Sequence, residues 1–241
     1  MHPSFRRALS RAVIVVAVAG GALVVTTGPS AAEPTTPQVG ECHDLTWKQA
    51  LQPSDTAAAV PCDQEHTTQT VAIKHYDNPK WNDVGWLIRK ASPACLRGAT
   101  AAVGSSKIMS MSAYEFFFFV PTKAEREEGA DWLRCDLGIE ARKQLIQLPE
   151  TLKPRRLPLA NRYLKCINRR NDYVPCSQPH RFRAKASVTL AGSYPSKARA
   201  AKAAGKCRPK VGARFTYSYP TRVQWKVGYR TLVCFQVTNL Y

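Results

Sequence analysis

Val-Pro-Cys-x-Gln-x-His occurs twice in the chain, as VPCDQEH over residues 60–66 and as VPCSQPH over residues 174–180. Other features recur in the same order. Pro121-Thr122 precedes Gly129 and Cys135, Pro220-Thr221 precedes Gly228 and Cys234, and both times the glycine stands seven and the cysteine thirteen residues beyond the threonine. Each stretch also has a cysteine ahead of its Val-Pro-Cys, Cys42 or Cys166, and another midway, Cys95 or Cys207. A repeat of this length, roughly 70 to 95 residues, is a duplicated small domain rather than a solenoid unit. The expected modules span residues 40–140 and 160–241. A basic linker over 141–159 joins them, with Pro149, Pro154 and Pro158 preventing a continuous helix.

The N-terminus places Arg6, Arg7 and Arg11 ahead of an apolar run from Ala12 to Val25, followed by the small residues Ser30-Ala31-Ala32. That order is an export signal, and the run is shorter than the roughly 18 residues a membrane-crossing helix needs. The expected signal peptide is 1–32 and the expected short disordered lead is 33–39; an uncleaved, signal-anchored membrane form is the alternative. The protein is thus expected to be secreted or held in the extracytoplasmic cell envelope.

All eight cysteines follow the signal, and an even count in an exported chain favours disulfides. Cys166 and Cys176 flank a hairpin turn in INRRNDY, which suits a bridge; Cys42 and Cys62 would do the same over a longer loop. The helix cysteine would then meet the last-strand cysteine, Cys95 with Cys135 and Cys207 with Cys234. Pairing is expected within modules and not between them. Alternating or β-branched runs such as QTVAIKHY and AKASVTLAG read as strands, and Ser92-Pro93 and Ser196 read as helix starts. The expected class is α+β: two tandem small disulfide-stapled modules, each an antiparallel sheet with one packed helix. Phe116 to Phe119 would put two rings on each face of a closing strand, so its second face needs a cover.

Little catalytic chemistry is legible. Cys-x3-His is a poor zinc spacing, His43 and His75 have no counterparts in the second repeat, and neither a metal nor a cofactor is expected. A nucleophilic thiol must be free, and these cysteines belong to a disulfide set. From residue 141 onward the only acids are Glu150 and Asp172, so the second module cannot hold a carboxylate pair. No catalytic residue is assigned. His66 and His180 are expected framework residues, with a ligand contact at the repeated turn as the sharper alternative.

The order Cys166, Val-Pro-Cys-x-x-Pro-His, helix cysteine, then Pro220-Thr221, Trp225, Gly228, Arg230 and Cys234 resembles the septum-formation-related domain of actinobacterial exported proteins. The first repeat departs from it, with Glu65 in place of the proline and Arg126 in place of the tryptophan. The resemblance implies a cell-envelope protein associated with division septa, and implies no reaction.

Charge divides the chain more sharply than anything else. Residues 33–140 carry a net −5 and residues 141–241 a net +20. On the second module's helix Arg199, Lys202 and Lys206 share one face, and Lys153, Arg155 and Arg156 in the linker add to it. Such a face repels itself unless an anionic partner offsets it. The expected partner is an anionic cell-wall polymer, an anionic lipid surface or an acidic envelope protein, with no specific nucleic-acid contact because the aromatics read as core. The expected function is therefore binding or structural, docking through the basic module. The alternative is an envelope hydrolase with a site in the first module or the inter-module cleft.

Overall fold

The computed structural model describes residues 36–152 and 159–238. The expected signal peptide, the first three residues of the lead, and Lys153, Arg155 and Arg156 lie outside the described residues.

Two antiparallel sheets with short helices make up the fold. In the first half, β1 (Cys42–His43), β2 (Thr68–His75), β3 (Tyr114–Phe119) and β4 (Trp132–Ile139) lie in the order β1-β2-β4-β3. They are accompanied by α1 (Trp47–Ala50), α2 (Val84–Val103), α3 (Ser106–Met111) and α4 (Lys123–Glu127). The second half contains β5 (Lys165–Ile167), β6 (Tyr173–Pro175), β7 (Phe182–Thr189), β8 (Phe215–Ser218) and β9 (Thr231–Val237), in the order β6-β5-β7-β9-β8. Its helices are α5 (Lys197–Ala204), α6 (Arg208–Val211) and α7 (Arg222–Lys226), with a 3-10 turn at Gly205–Cys207 between the first two.

Corresponding strands share one register. Cys135 lies opposite Ala72, and Cys234 lies opposite Ala186. Both long strands bulge at the same point, between Thr70 and Ala72 and between Ala184 and Ala186. The bridges are Cys42–Cys62, Cys95–Cys135, Cys166–Cys176 and Cys207–Cys234, so every one closes within its own half. Among the described residues no cysteine is free.

The Pro-Thr pairs open α4 and α7. Thr122 and Thr221 each accept from the backbone three residues on, while Glu125 and Gln224 reach back to the threonine N–H, a reciprocal capping box. Each helix runs into a glycine with positive φ, +95° at Gly129 and +97° at Gly228, which a side chain would strain even though the space beside it is open.

α2 differs from expectation. It begins at Val84 and runs through Pro93, not from Ser92-Pro93. Asp83 supplies the cap by accepting from the Trp86 N–H at 2.8 Å, and the buried stripe Leu87, Ala91, Ala94, Ala99, Val103 keeps the helical period across the proline. Packing outweighs the proline's missing donor. The fit onto β2 is close: a Cβ at Gly98 would stand 2.6 Å from that of Ala72. Ser196 does cap α5, and Cys207 follows in the 3-10 turn.

The phenylalanine run divides as its alternation requires. Phe116 and Phe118 pack against the α2 core, whereas Phe117 and Phe119 join Leu45, Ala50 and Trp132 on the opposite face, under the segment carrying α1. The two halves also share packing. Ser112 and Leu164 form an antiparallel bridge, and Ala113 N–H donates to the Tyr163 carbonyl at 2.8 Å. Tyr229, from the second half and 2 % exposed, is embedded in the first half's core, its hydroxyl 2.7 Å from Thr100 Oγ1. The connecting segment packs down at both described ends, Leu148 and Leu152 on the first core and Leu159 on the second.

Candidate functional site

The basic surface starts from an alanine helix. In KARAAKAA, Ala200 and Ala204 are buried, and Cys207 ties the following turn to β9. That fixes the opposite side outward: Lys197, Arg199, Lys202, Lys206, Arg208 and Lys210 are all exposed. Arg199, Lys202 and Lys206 thus stand on one surface. Arg199 donates to the Ser193 carbonyl, which holds its guanidinium near the start of the helix. Among the described residues none of these six cations has an ion pair within 4 Å.

His66 and His180 occupy matching positions and make matching bonds. Each presents Nδ1 to the carbonyl two residues earlier, 2.8 Å to Gln64 and 2.7 Å to Gln178. A carbonyl only accepts, so Nδ1 carries a proton, and in the neutral ring Nε2 is a lone pair. Both Nε2 atoms are buried without a partner. In the second half the donor atoms of His180, Cys166 and Cys176 fall within 4.8 Å of one another. The two sulfurs are joined in the bridge, so neither is the thiolate that a zinc ligand must be.

The first half holds a group that the repeat pattern alone does not announce. Arg134 Nη2 lies 2.5 Å from Asp55 Oδ2 and 3.0 Å from Asp136 Oδ2, Thr70 donates to Asp136 Oδ1 at 2.9 Å, and His43 Nδ1 is 3.8 Å from Asp55. The guanidinium also lies over the Phe119 ring at 4.5 Å. Burial pushes the His43 imidazole below its ordinary pKa, helped by Arg134 and opposed by the nearby acids. Burial pushes the Asp136 carboxyl upward against the pull of Arg134, His43 and its hydrogen bonds. These are converging acids in the first half, yet all four side chains are at most 5 % exposed and none lines the cleft described next. They are closed off from solvent in this structure. The signal was available in WLRCDLGI, where Arg134 and Asp136 alternate on one face at the positions of Val233 and Phe235 in β9.

Where the edge strands β3 and β6 approach, a cleft of about 940 Å³ opens between the halves. One wall carries Glu115, Glu140, Arg142 and Lys143; the other is the 168–172 turn with Tyr173 and His180. The turn is built by Asn168, whose Oδ1 accepts from the N–H groups of Arg170 and Asp172. Beside the cleft, burial brings the Lys165 ammonium down to about 8, with Glu115 opposing, and its Nζ lies 4.9 Å over the Tyr173 ring. The sequence pointed to an inter-module cleft and to the INRRNDY turn separately, but did not bring that turn together with Glu115, Glu140, Arg142 and Lys143, because segments distant in sequence create the site.

Among the described residues no helix is long and apolar enough to cross a membrane. Residues 39–234 match a family model described as septum formation, in a single stretch that spans both halves. No curated protein and no solved structure matches the chain.

Proposed function

Because the chain belongs to the septum formation family, we propose that it is a septum-related envelope protein that docks through its basic second half on an anionic wall polymer, an anionic lipid surface or an acidic partner. The single observation that carries this reading is the exposed α5–α6 surface: six cations, no ion pair within 4 Å among the described residues, and a buried alanine and disulfide face that keeps them pointing outward. Aligned exposed cations repel one another, and a polyanion offsets that repulsion. The four disulfides suit the oxidising space outside the cytoplasm, and the export signal at residues 1–32 accounts for arrival there. Two copies of one septum-formation module explain the repeated motifs, the matching registers and the matching bulges. The charge divergence then reads as a division of labour, with the second copy specialised for attachment.

Retention of the exported protein on purified envelope fractions across a salt series tests the reading. Exposed charges farther apart than the Debye length, roughly 8 Å at physiological salt, are screened, so retention should fall progressively as salt rises. Salt-insensitive retention, or none at low salt, contradicts it.

A further inference from the structure

The cleft between the halves has a charge pattern different from that of the α5–α6 surface and shares no residue with it. Acids and bases face it together. Glu115 makes no hydrogen bond or ion pair within 4 Å among the described residues, although it stands at the end of an edge strand with Glu140 nearby. Partial loss of water raises its carboxyl above the ordinary range; Lys165 opposes and Glu140 adds to the rise. Glu140 uses one oxygen to accept from the Lys143 N–H at 2.9 Å, and Asp172 accepts from Asn168 Nδ2 at 3.1 Å, so both help to hold the turns. The cationic ends of Arg142, Lys143 and Arg170 have no ion pair within 4 Å among the described residues.

Opposite charges in one concavity that do not neutralise each other are complementary to a ligand bearing both signs. A polyanion would meet Glu115 and Glu140, and a polycation would meet Arg142, Lys143 and Arg170; each costs like-charge repulsion. A zwitterion meets both sets favourably. The volume lies at the upper end of the range for small-ligand sites, more than a single amino acid fills. The half-buried Gln178 and Asn168 lie alongside as amide partners for a peptide backbone. We infer that the cleft binds a short peptide with free ends, its ammonium held by Glu115 and Glu140 and its carboxylate by Arg142 and Arg170.

Calorimetric titration of the full chain with di- to penta-alanine, free or blocked at either end, tests this. At least one free-ended peptide should bind saturably. N-acetylation should weaken it about as much as Glu115→Gln does, roughly ten- to a hundredfold for one charge-assisted hydrogen bond, and the two changes together should cost little more than either alone. C-terminal amidation should pair in the same way with Arg142→Gln or Arg170→Gln. These residues are exposed, so the variants should melt as the wild type does. The inference is overturned if no free-ended peptide binds up to about 10 mM, that is, if binding is weaker than about −2.7 kcal/mol, or if the doubly blocked peptide binds equally well. Binding of a glycerol-phosphate polymer that is lost with Arg142→Gln and strengthened by Glu115→Gln also overturns it, and leaves the α5–α6 docking reading untouched.

Discussion

The same five positions are polar in one sheet and apolar in the other. His43, Thr68, Thr70, Arg134 and Asp136 in the first half correspond by strand and register to Ile167, Phe182, Ala184, Val233 and Phe235 in the second. The first set is a buried ion cluster closed by Asp55; the second belongs to an apolar core with Leu164 and Met111. Backbone pairing, bulge and disulfide positions are unchanged between them. The frame therefore does not depend on how this layer is filled. A buried ion pair in general contributes little beyond what hydrophobic residues of similar volume would, while removing one partner leaves a charge stranded.

The largest expected effect follows directly. Arg134→Met should destabilise the protein by about 3 to 5 kcal/mol, read as a lowered urea midpoint, because Asp55 and Asp136 remain buried without their cation. Replacing the whole cluster with its second-half counterparts sharpens the comparison. His43→Ile, Thr70→Ala, Arg134→Val and Asp136→Phe, with Asp55→Leu, should together cost less than Arg134→Met alone. A larger cost for the set would mean that the cluster is specific to the first half's packing and that the two layers are not interchangeable.

A smaller effect probes the join between the halves. Tyr229→Phe removes the hydroxyl that donates to the Leu96 carbonyl and meets Thr100, and should cost about 0.5 to 1.5 kcal/mol. Since Tyr229 belongs to the second half by sequence and to the first half's core by packing, hydrogen exchange should rise in α2 as well as around α7. Exchange confined to one half would separate what the shared core joins.

The smallest expected effect is a pH dependence. His43 has a folded pKa below its unfolded value of 6.5, so its contribution is fully present above that value and is lost as pH falls through 6.5 toward the folded pKa. Asp136 acts in the opposite direction, since its raised folded pKa makes protonation favour the native state as pH falls through that pKa toward 3.8. His43→Ile isolates the first term: relative to wild type, the variant should gain stability as pH drops from 7 to 5. A difference independent of pH would mean that His43 does not titrate on unfolding.

Much of the frame was legible in the sequence. The repeated Pro-Thr and glycine marked equivalent positions in the two halves, although the short capped helices there were not foreseen, and the four-phenylalanine run divided between two cores because strand alternation leaves no other choice. The even cysteine count pointed to disulfide bonding. Pro93 misled because a proline usually opens a helix, and only the Asp83 cap and the packed stripe upstream reveal otherwise. That Arg199, Lys202 and Lys206 share one exposed side was readable because helical spacing is local. The convergence of Glu115, Arg142 and Arg170 on one cleft was not, since it joins segments far apart in the chain.

The proposed docking surface can be tested against the rest of the molecule by charge reversal. Arg199→Glu, Lys202→Glu and Lys206→Glu change the exposed side of α5 and the turn after it without touching Ala200, Ala204 or the Cys207–Cys234 bridge; Lys48→Glu, Lys74→Glu and Lys80→Glu do the same on exposed positions of the first half. Co-sedimentation with purified wall and with anionic vesicles, at low and physiological salt, should show the second-half variant lost to the supernatant and the first-half variant retained like the wild type. Equal retention of both variants, unresponsive to salt, would contradict docking through the basic half.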